Sequence, residues 1–269
     1  MIDFAFHNPT KIFFGKTSLT HLHDEAARYG SRVLLVYGGG SIKRTGVYDQ
    51  VMAQLAGMQV WELGGVQPNP RLSLVRDGIS LCREHAIELV LAVGGGSAID
   101  TAKAVANGAC YDGDVWDLFD GKGRNTEVLP LGTVVTIPAA GSEMSDSSVI
   151  TREEDLCKRG RNTPLNFPKF SILNPEFTYT LPPFQTACGV VDIMAHMMER
   201  YFTRVTHVEL IDRMTEGALK TVVNNAPIVM REPENYDARA EIMWAGCLAH
   251  NTLFQTGRVG DWASHKLEH

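Results

Sequence analysis

From the first residues to about residue 175, short aliphatic and β-branched runs alternate with stretches whose apolar positions recur at helical spacing. The runs Arg32-Val33-Leu34-Leu35-Val36, Glu88-Leu89-Val90-Leu91-Ala92-Val93 and Thr133-Val134-Val135-Thr136-Ile137 are near-continuously apolar, as strands buried on both faces are. Each of the first two ends in three glycines and then gives way to a helical stretch, the βαβ pattern of an open parallel sheet. The pattern changes at Leu181-Pro182-Pro183. Proline is tolerated in a helix's first turn, so this tripeptide reads as a helix start. Beyond it only helical spacing is present, over residues 184–203, 208–223 and 238–254 and again from near Asp261. The expected architecture is an α/β open parallel sheet of Rossmann-like type over residues 1–180 and an all-α domain over residues 181–269.

Composition narrows the function classes. Hydrophobic residues make up 44% of the 269 and charged residues 21%, which is globular material and too apolar for a disordered chain. The net charge of −6 argues against a nucleic-acid surface, which needs clustered positive charge. No stretch approaches the roughly 20 apolar residues of a membrane span, and Met1-Ile2-Asp3-Phe4-Ala5-Phe6-His7 lacks the basic-then-apolar start of a secretory signal. Five cysteines without a CxxC spacing fit a reducing cytosol better than a disulfide framework, so a cytoplasmic protein is expected, with neither nucleic acid nor membrane as partner.

Three groups of residues carry candidate chemistry. Tyr37-Gly38-Gly39-Gly40-Ser41 and Val93-Gly94-Gly95-Gly96-Ser97 each follow a buried strand and open a helix. There glycine lets backbone approach a phosphate, and the helix start offers unpaired N–H groups. A tight turn without a ligand is the alternative for either one; two such turns in one sheet favour a nucleotide or phosphorylated ligand. Neither spells G-x-G-x-x-G. Asn69, between Pro68 and Pro70, sits on another candidate rim loop, and turn chemistry explains it almost as well. The segment Thr136-Ile137-Pro138-Ala139-Ala140-Gly141-Ser142-Glu143 reads equally as a further wall of the cleft or as a plain connection. The third group is Asp192-Ile193-Met194-Ala195-His196, whose carboxylate and imidazole share a helix face at i and i+4. Alone it would be a simple ion pair. His265 and His269, again four apart on a second helical stretch, turn it into a candidate divalent metal site of the kind facing helices build. Oxygen and nitrogen ligands suit Fe²⁺ or Zn²⁺. His7, His21, His23, His85, His207 and His250 have no partner at useful spacing, and the basic cluster Lys158-Arg159-Gly160-Arg161 reads as a solvated loop unless the ligand carries an extra phosphate.

The order and spacing of these elements resemble the iron-containing (group III) alcohol dehydrogenases, in particular their NADP-dependent, butanol-dehydrogenase-like subgroup. The resemblance spans the whole chain, from Pro9-Thr10-Lys11-Ile12-Phe13-Phe14-Gly15 through Gly94-Gly95-Gly96-Ser97-Ala98-Ile99-Asp100-Thr101-Ala102-Lys103 and Gly141-Ser142-Glu143 to Asp192, His196, His265 and His269. It implies a dehydroquinate-synthase-like architecture and metal-dependent, NADP(H)-linked hydride transfer between short-chain primary alcohols and aldehydes. By the same resemblance Gly38, Gly39, Ser41, Asn69, Gly95, Gly96, Ser97, Thr136, Ser142 and Lys158 would line the dinucleotide cleft. Asp192, His196 and His265 would hold Fe²⁺ or Zn²⁺, and His269 would be the catalytic histidine near the nicotinamide. NAD-preferring members carry an acidic residue just after the first strand; Gly38-Gly39 stands in its place here, with Ser41 and Lys43 nearby, so NADP(H) is expected. The family's fourth metal ligand, a histidine farther downstream, lies past the last residue of this chain, so the helical domain is expected to be partial and the metal site open. Glycerol dehydrogenases and lyases of the dehydroquinate-synthase kind share the architecture, and a catalytically impaired nucleotide-binding fragment is the reading from another class. The Gly38-Gly39 turn and the stretch from Asn174-Pro175 to Tyr179-Thr180-Leu181-Pro182-Pro183 favour the butanol type. A strand over Lys11 to Phe14 is expected at a sheet edge, where family members commonly pair, which implies a homodimer.

Overall fold

A computed structural model describes residues 1–268. Its strands are β1 (Lys11–Phe14), β2 (Arg32–Gly38), β3 (Gln59–Val66), β4 (Leu89–Gly94), β5 (Leu131–Val135), β6 (Ser147–Arg152), β7 (Cys157–Asn162) and β8 (Phe170–Leu173). Six of them form a parallel sheet in the order β1-β8-β5-β4-β2-β3, while β6 and β7 pair as a separate antiparallel hairpin. Every residue of β4 and β5 is buried, which is why their apolar runs do not alternate. From β2 the chain steps outward to β3 and then crosses back to β4 on the other side of β2. That reversal is the topological switch point of an open α/β sheet, and ligands bind at the carboxyl ends of the strands that flank it. The expected parallel α/β sheet is present.

The helices are α1 (Leu22–Ala27), α2 (Ser41–Arg44), α3 (Val47–Gln54), α4 (Leu72–Glu84), α5 (Gly96–Ala109), α6 (Val115–Phe119), α7 (Pro183–Tyr201), α8 (Glu209–Arg231), α9 (Tyr236–Ala249) and α10 (Ala263–Glu268). The chain forms two compact units. One comprises Pro9–Thr136 and Asp146–Asn174; the other comprises Met1–Asn8, Ile137–Ser145 and the chain from Pro175 onward. Two segments that a single cut near residue 180 leaves with the sheet, Met1–Asn8 and Ile137–Ser145, therefore pack with the helices.

Local signals explain where elements begin and end. Pro183 opens α7 behind Pro182, as the proline pair foretold. α8 continues through Pro227 to Arg231, beyond the expected stop at residue 223. A mid-helix proline forfeits one backbone hydrogen bond, but Val222 and Val229 on either side of it are buried in the helical core with Ile193, Met197 and Ile242, and that packing carries the helix across. α9 ends at Ala249 rather than 254, because Thr252 adopts a left-handed φ of 72° and starts a separate turn over Leu253–Gln255. The basic stretch read as a solvated loop is strand β7. Its Arg161 is tied to Asn107 Oδ1 at 2.7 Å and Asn125 Oδ1 at 2.6 Å, and its Arg159 pairs with Asp120 at 2.6 Å. Strand β3, interrupted by Gly64 and Gly65, lacks the continuous apolar run that marks the central strands. Among the described residues no helix is long and apolar enough to cross a membrane, and the five cysteines are free thiols.

Candidate metal centre and dinucleotide-binding edge

In the α/β unit the glycine turns stand at the carboxyl edge of adjacent strands. Gly38 ends β2 and Gly39 follows it; Ser41 is the first residue of α2. Gly40 adopts a left-handed φ of 93° and its N–H bonds back to Gly38 O at 2.9 Å, a reversal that favours a residue without Cβ. Gly95 caps α5, and Gly96 and Ser97 form its first turn, after β4. Thr136 follows β5, and its N–H bonds Gly94 O at 3.0 Å, which links the turns after β4 and β5. Asn69, with a left-handed φ of 58°, lies in the loop between β3 and α4. Lys158 sits on β7, and two charged residues of α5 anchor that hairpin. Asp100 Oδ2 accepts the Val149 N–H at 2.9 Å, and the fully buried Lys103 donates to Ser147 O at 2.7 Å. Ser142 is buried in a short turn that belongs to the helical unit.

In the helical unit α7 places Asp192 and His196 one turn apart. Ile193 and Met197, each the next residue on, are completely buried and fix the rotation of the helix, so His196 is buried and Asp192 half-buried. His196 Nδ1 lies 2.9 Å from the Asp192 carbonyl oxygen and 3.5 Å from its Oδ1. A carbonyl only accepts, so Nδ1 carries the proton and Nε2 keeps its lone pair. α10 contributes His265, whose Nε2 is 3.7 Å from Asp192 Oδ1 and whose ring centroid is 4.5 Å from that of His196. One donor atom each from Asp192, His196 and His265 lies within 4.8 Å of the others. A tetrahedral ion with bonds of about 2.1 Å separates its donors by roughly 3.4 Å, so small side-chain rotations suffice to close the set. Donor chemistry and spacing both fit a divalent ion such as Fe²⁺ or Zn²⁺.

Electrostatics around the three residues are distinct for each. Burial pushes His196 down to about 4, against the opposing pull of Asp192, so its imidazole is neutral and ready to ligate. His265 is raised, first by its hydrogen bond with Asp192 and then by Glu199. Glu199 is the residue that sequence reasoning missed. Its Oε1 accepts from His265 Nδ1 at 3.1 Å and from the His265 backbone N–H at 3.2 Å. Burial would raise its carboxyl, but hydrogen bonds from Ser264 and His265 outweigh that and hold it at about 2. A buried carboxylate on the far nitrogen of a ligating imidazole fixes its tautomer and orientation. The signal was available: Glu199 is seven residues after Asp192, on the same helix face. His250, which has no partner at useful sequence spacing, stands with its ring edge-on to His196 at 4.5 Å. It lies just past the end of α9, where no spacing points to α7. Arg200 stacks over Trp262 at 4.2 Å and donates to His196 O at 2.7 Å, walling the site. His269, the expected catalytic histidine, lies outside the described residues.

Comparison with known proteins gives this arrangement its context. The model of the iron-containing alcohol dehydrogenase family matches residues 9–175, and that of the Fe-containing alcohol dehydrogenase family C-terminal region matches residues 186–269. The chain belongs to the iron-containing alcohol dehydrogenase family. Over its full length it is 52% identical to the probable NADH-dependent butanol dehydrogenase 2 of Bacillus subtilis and 42% identical to the NADPH-dependent aldehyde reductase YqhD of Escherichia coli, spanning 70% of each. The crystal structure of NADH-dependent butanol dehydrogenase A from Thermotoga maritima superposes with a TM-score of 0.97 at 42% identity, covering 100% of this chain and 68% of that one. The fold is that of the family, and the protein is an oxidoreductase of it.

Proposed function

We propose that this iron-containing alcohol dehydrogenase is a metal-dependent, NADP(H)-linked alcohol dehydrogenase and aldehyde reductase acting on short-chain primary alcohols and aldehydes. The observation that carries this reading is the convergence of Asp192, His196 and His265, with the Nδ1 atom of each histidine held by an oxygen, in a member of this family. A divalent ion held there supplies a Lewis acid for the alcohol or aldehyde oxygen, and a bound dinucleotide supplies the nicotinamide carbon that gives or takes hydride. The chain's own residues do the rest. Neutral His196 and carboxylate Asp192 bind the cation, and Glu199 holds His265 so that its Nε2 faces the site. Arg200 stacks on Trp262 beside His196. His269, four positions after His265, is the residue to which the family resemblance assigns passage of the hydroxyl proton.

For the dinucleotide, the turns at Gly38, Gly39, Ser41 and at Gly95, Gly96, Ser97 are the phosphate- and ribose-facing candidates, with Asn69, Thr136 and Lys158 of the same unit and Ser142 of the helical unit added by the family resemblance. The names of relatives divide between NADH and NADPH, so the preference for NADP(H) rests on the chain itself. No carboxylate occupies Gly38 to Ser41, where one would repel a 2′-phosphate. Following NADPH and NADH oxidation with a panel of short aldehydes, with added Fe²⁺ or Zn²⁺ and with chelator, tests the proposal. It predicts turnover that is weak in this chain, metal-dependent and faster with NADPH. Turnover untouched by chelator would refute the metal assignment, and faster turnover with NADH would refute the cofactor assignment.

A further inference from the structure

Toward the carboxyl ends of β2 and β3, three side chains gather on one carboxylate. Leu35 of β2 is in register with Glu62 of β3, so Tyr37, two residues on, points to the same face as Glu62. The Tyr37 ring reaches Glu62 by crossing Gly64, where a Cβ would stand 2.8 Å from the tyrosine oxygen. Tyr37 donates to Glu62 Oε2 at 2.6 Å, Lys43 of α2 donates to the same oxygen at 2.9 Å, and Tyr48 of α3 donates to Oε1 at 2.6 Å. The Lys43 ammonium also lies 5.0 Å from the centre of the Tyr37 ring and 4.5 Å from that of Tyr48. Hydrogen bonds from Tyr37, Tyr48 and Lys43 bring Glu62 down to about 2, so it is an anion at neutral pH. Both Lys43 and Glu62 remain partly open to solvent.

An ordinary surface ion pair leaves its lysine free to wander and contributes little. Here two aromatic faces and a doubly tyrosine-bound carboxylate hold the ammonium in one place, two residues past Ser41. A cation fixed beside a turn that lacks any carboxylate suits an anionic group on the ligand; the adjacent Glu62 neutralises part of that cation before the ligand arrives. We infer that Glu62 is a specificity-determining residue, setting how strongly a 2′-phosphorylated dinucleotide is preferred over an unphosphorylated one by competing with the 2′-phosphate for Lys43. This inference rests on the proposed dinucleotide site at Gly38 to Ser41 and adds to it the counter-charge that limits its selectivity.

The test is calorimetric titration of NADPH and of NADH into the metal-free protein, so that binding alone is read, for the unaltered chain, Glu62→Gln, Lys43→Met and the double variant. Glu62→Gln is expected to tighten NADPH about fivefold, the effect of one unit charge at roughly 4 Å in water, and to leave NADH within about twofold. Lys43→Met is expected to weaken NADPH by about fivefold or more and again to spare NADH. In the double variant the gain from Glu62→Gln should vanish, since the freed cation is no longer there. All of these effects should shrink as salt is raised. A NADPH-to-NADH affinity ratio unmoved by Glu62→Gln, or lowered by it, overturns the inference while the dinucleotide site stands. Failure of the unaltered chain to bind either dinucleotide overturns the site and the inference together.

Discussion

The α/β unit and the helical unit present their chemistry by different physical means. In our proposal the sheet edge offers backbone: N–H groups in small-residue turns facing a phosphate, set at Gly38–Ser41 and Gly95–Ser97 by adjacent strands in fixed register. The helical site offers side chains: a carboxylate and two imidazoles from α7 and α10, brought together only by packing. Backbone sites announce themselves as short contiguous motifs. Side-chain sites depend on partners far away in sequence, as Glu199 and His265 are, 66 positions apart. The first kind keeps its N–H donors when a side chain is lost; the second loses a donor atom.

The largest effect that would break this contrast is at α7. His196→Ala should reduce divalent ion affinity by more than the roughly 10–100-fold that loss of an outer-shell partner costs, while dinucleotide affinity stays within about twofold, as independent sites allow. Equal losses at both would mean that the two sites are energetically one. Next comes Glu199→Gln, which keeps the shape but removes the anion on His265 Nδ1. It should cost about 10–100-fold in metal affinity, and calorimetry with Zn²⁺ against NADPH separates this from general unfolding, because only the former should fall.

These two residues mark how far the site could be read from the chain. Asp192 and His196 were legible because i, i+4 spacing on an apolar helix places them together whatever else happens. Their joining with His265 was legible only through a second histidine pair, half of which lies outside the described residues. Glu199 shared the helix face but carried no motif, and a buried glutamate looks like any other until its partner is known. His250 and Trp262 reach His196 from chain turns at Thr252 and Trp262 with left-handed φ, a tertiary feature without a local signature. The sheet was legible where strands are buried on both faces, at β2, β4 and β5. It was not at β3, a glycine-interrupted edge strand, and neither was the separate hairpin, where the charges of β7 disguise a strand pair held by Asp100 and Lys103.

Smaller effects sharpen the same comparison. Gly38→Asp places a carboxylate at the end of β2 and should reverse the preference between NADPH and NADH, each followed by direct titration, without changing metal affinity. The pH dependence of metal binding should be shallow. His196, held at about 4, is already deprotonated above pH 5, whereas His265, raised above 6.5, must lose its proton to ligate. Metal affinity should therefore rise with pH up to the His265 value, with about one proton released per ion rather than two, as measured by titration in buffers of differing ionisation enthalpy. Finally, among the described residues β1 pairs only with β8 and so forms one edge of the sheet. Pairing of that edge in a homodimer is our proposal, and light scattering at micromolar concentration should give twice the chain mass.

The account stands or falls on a single titration of Zn²⁺ into the metal-free protein, run for the unaltered chain and for Asp192→Asn, His196→Ala and His265→Ala, with circular dichroism to verify folding. One ion per chain, weakened sharply and to a similar degree by each of the three substitutions in folded protein, is the predicted result. One ion per chain bound equally well by all four proteins, or no ion bound by the unaltered chain, would contradict the assignment of Asp192, His196 and His265 as the metal site.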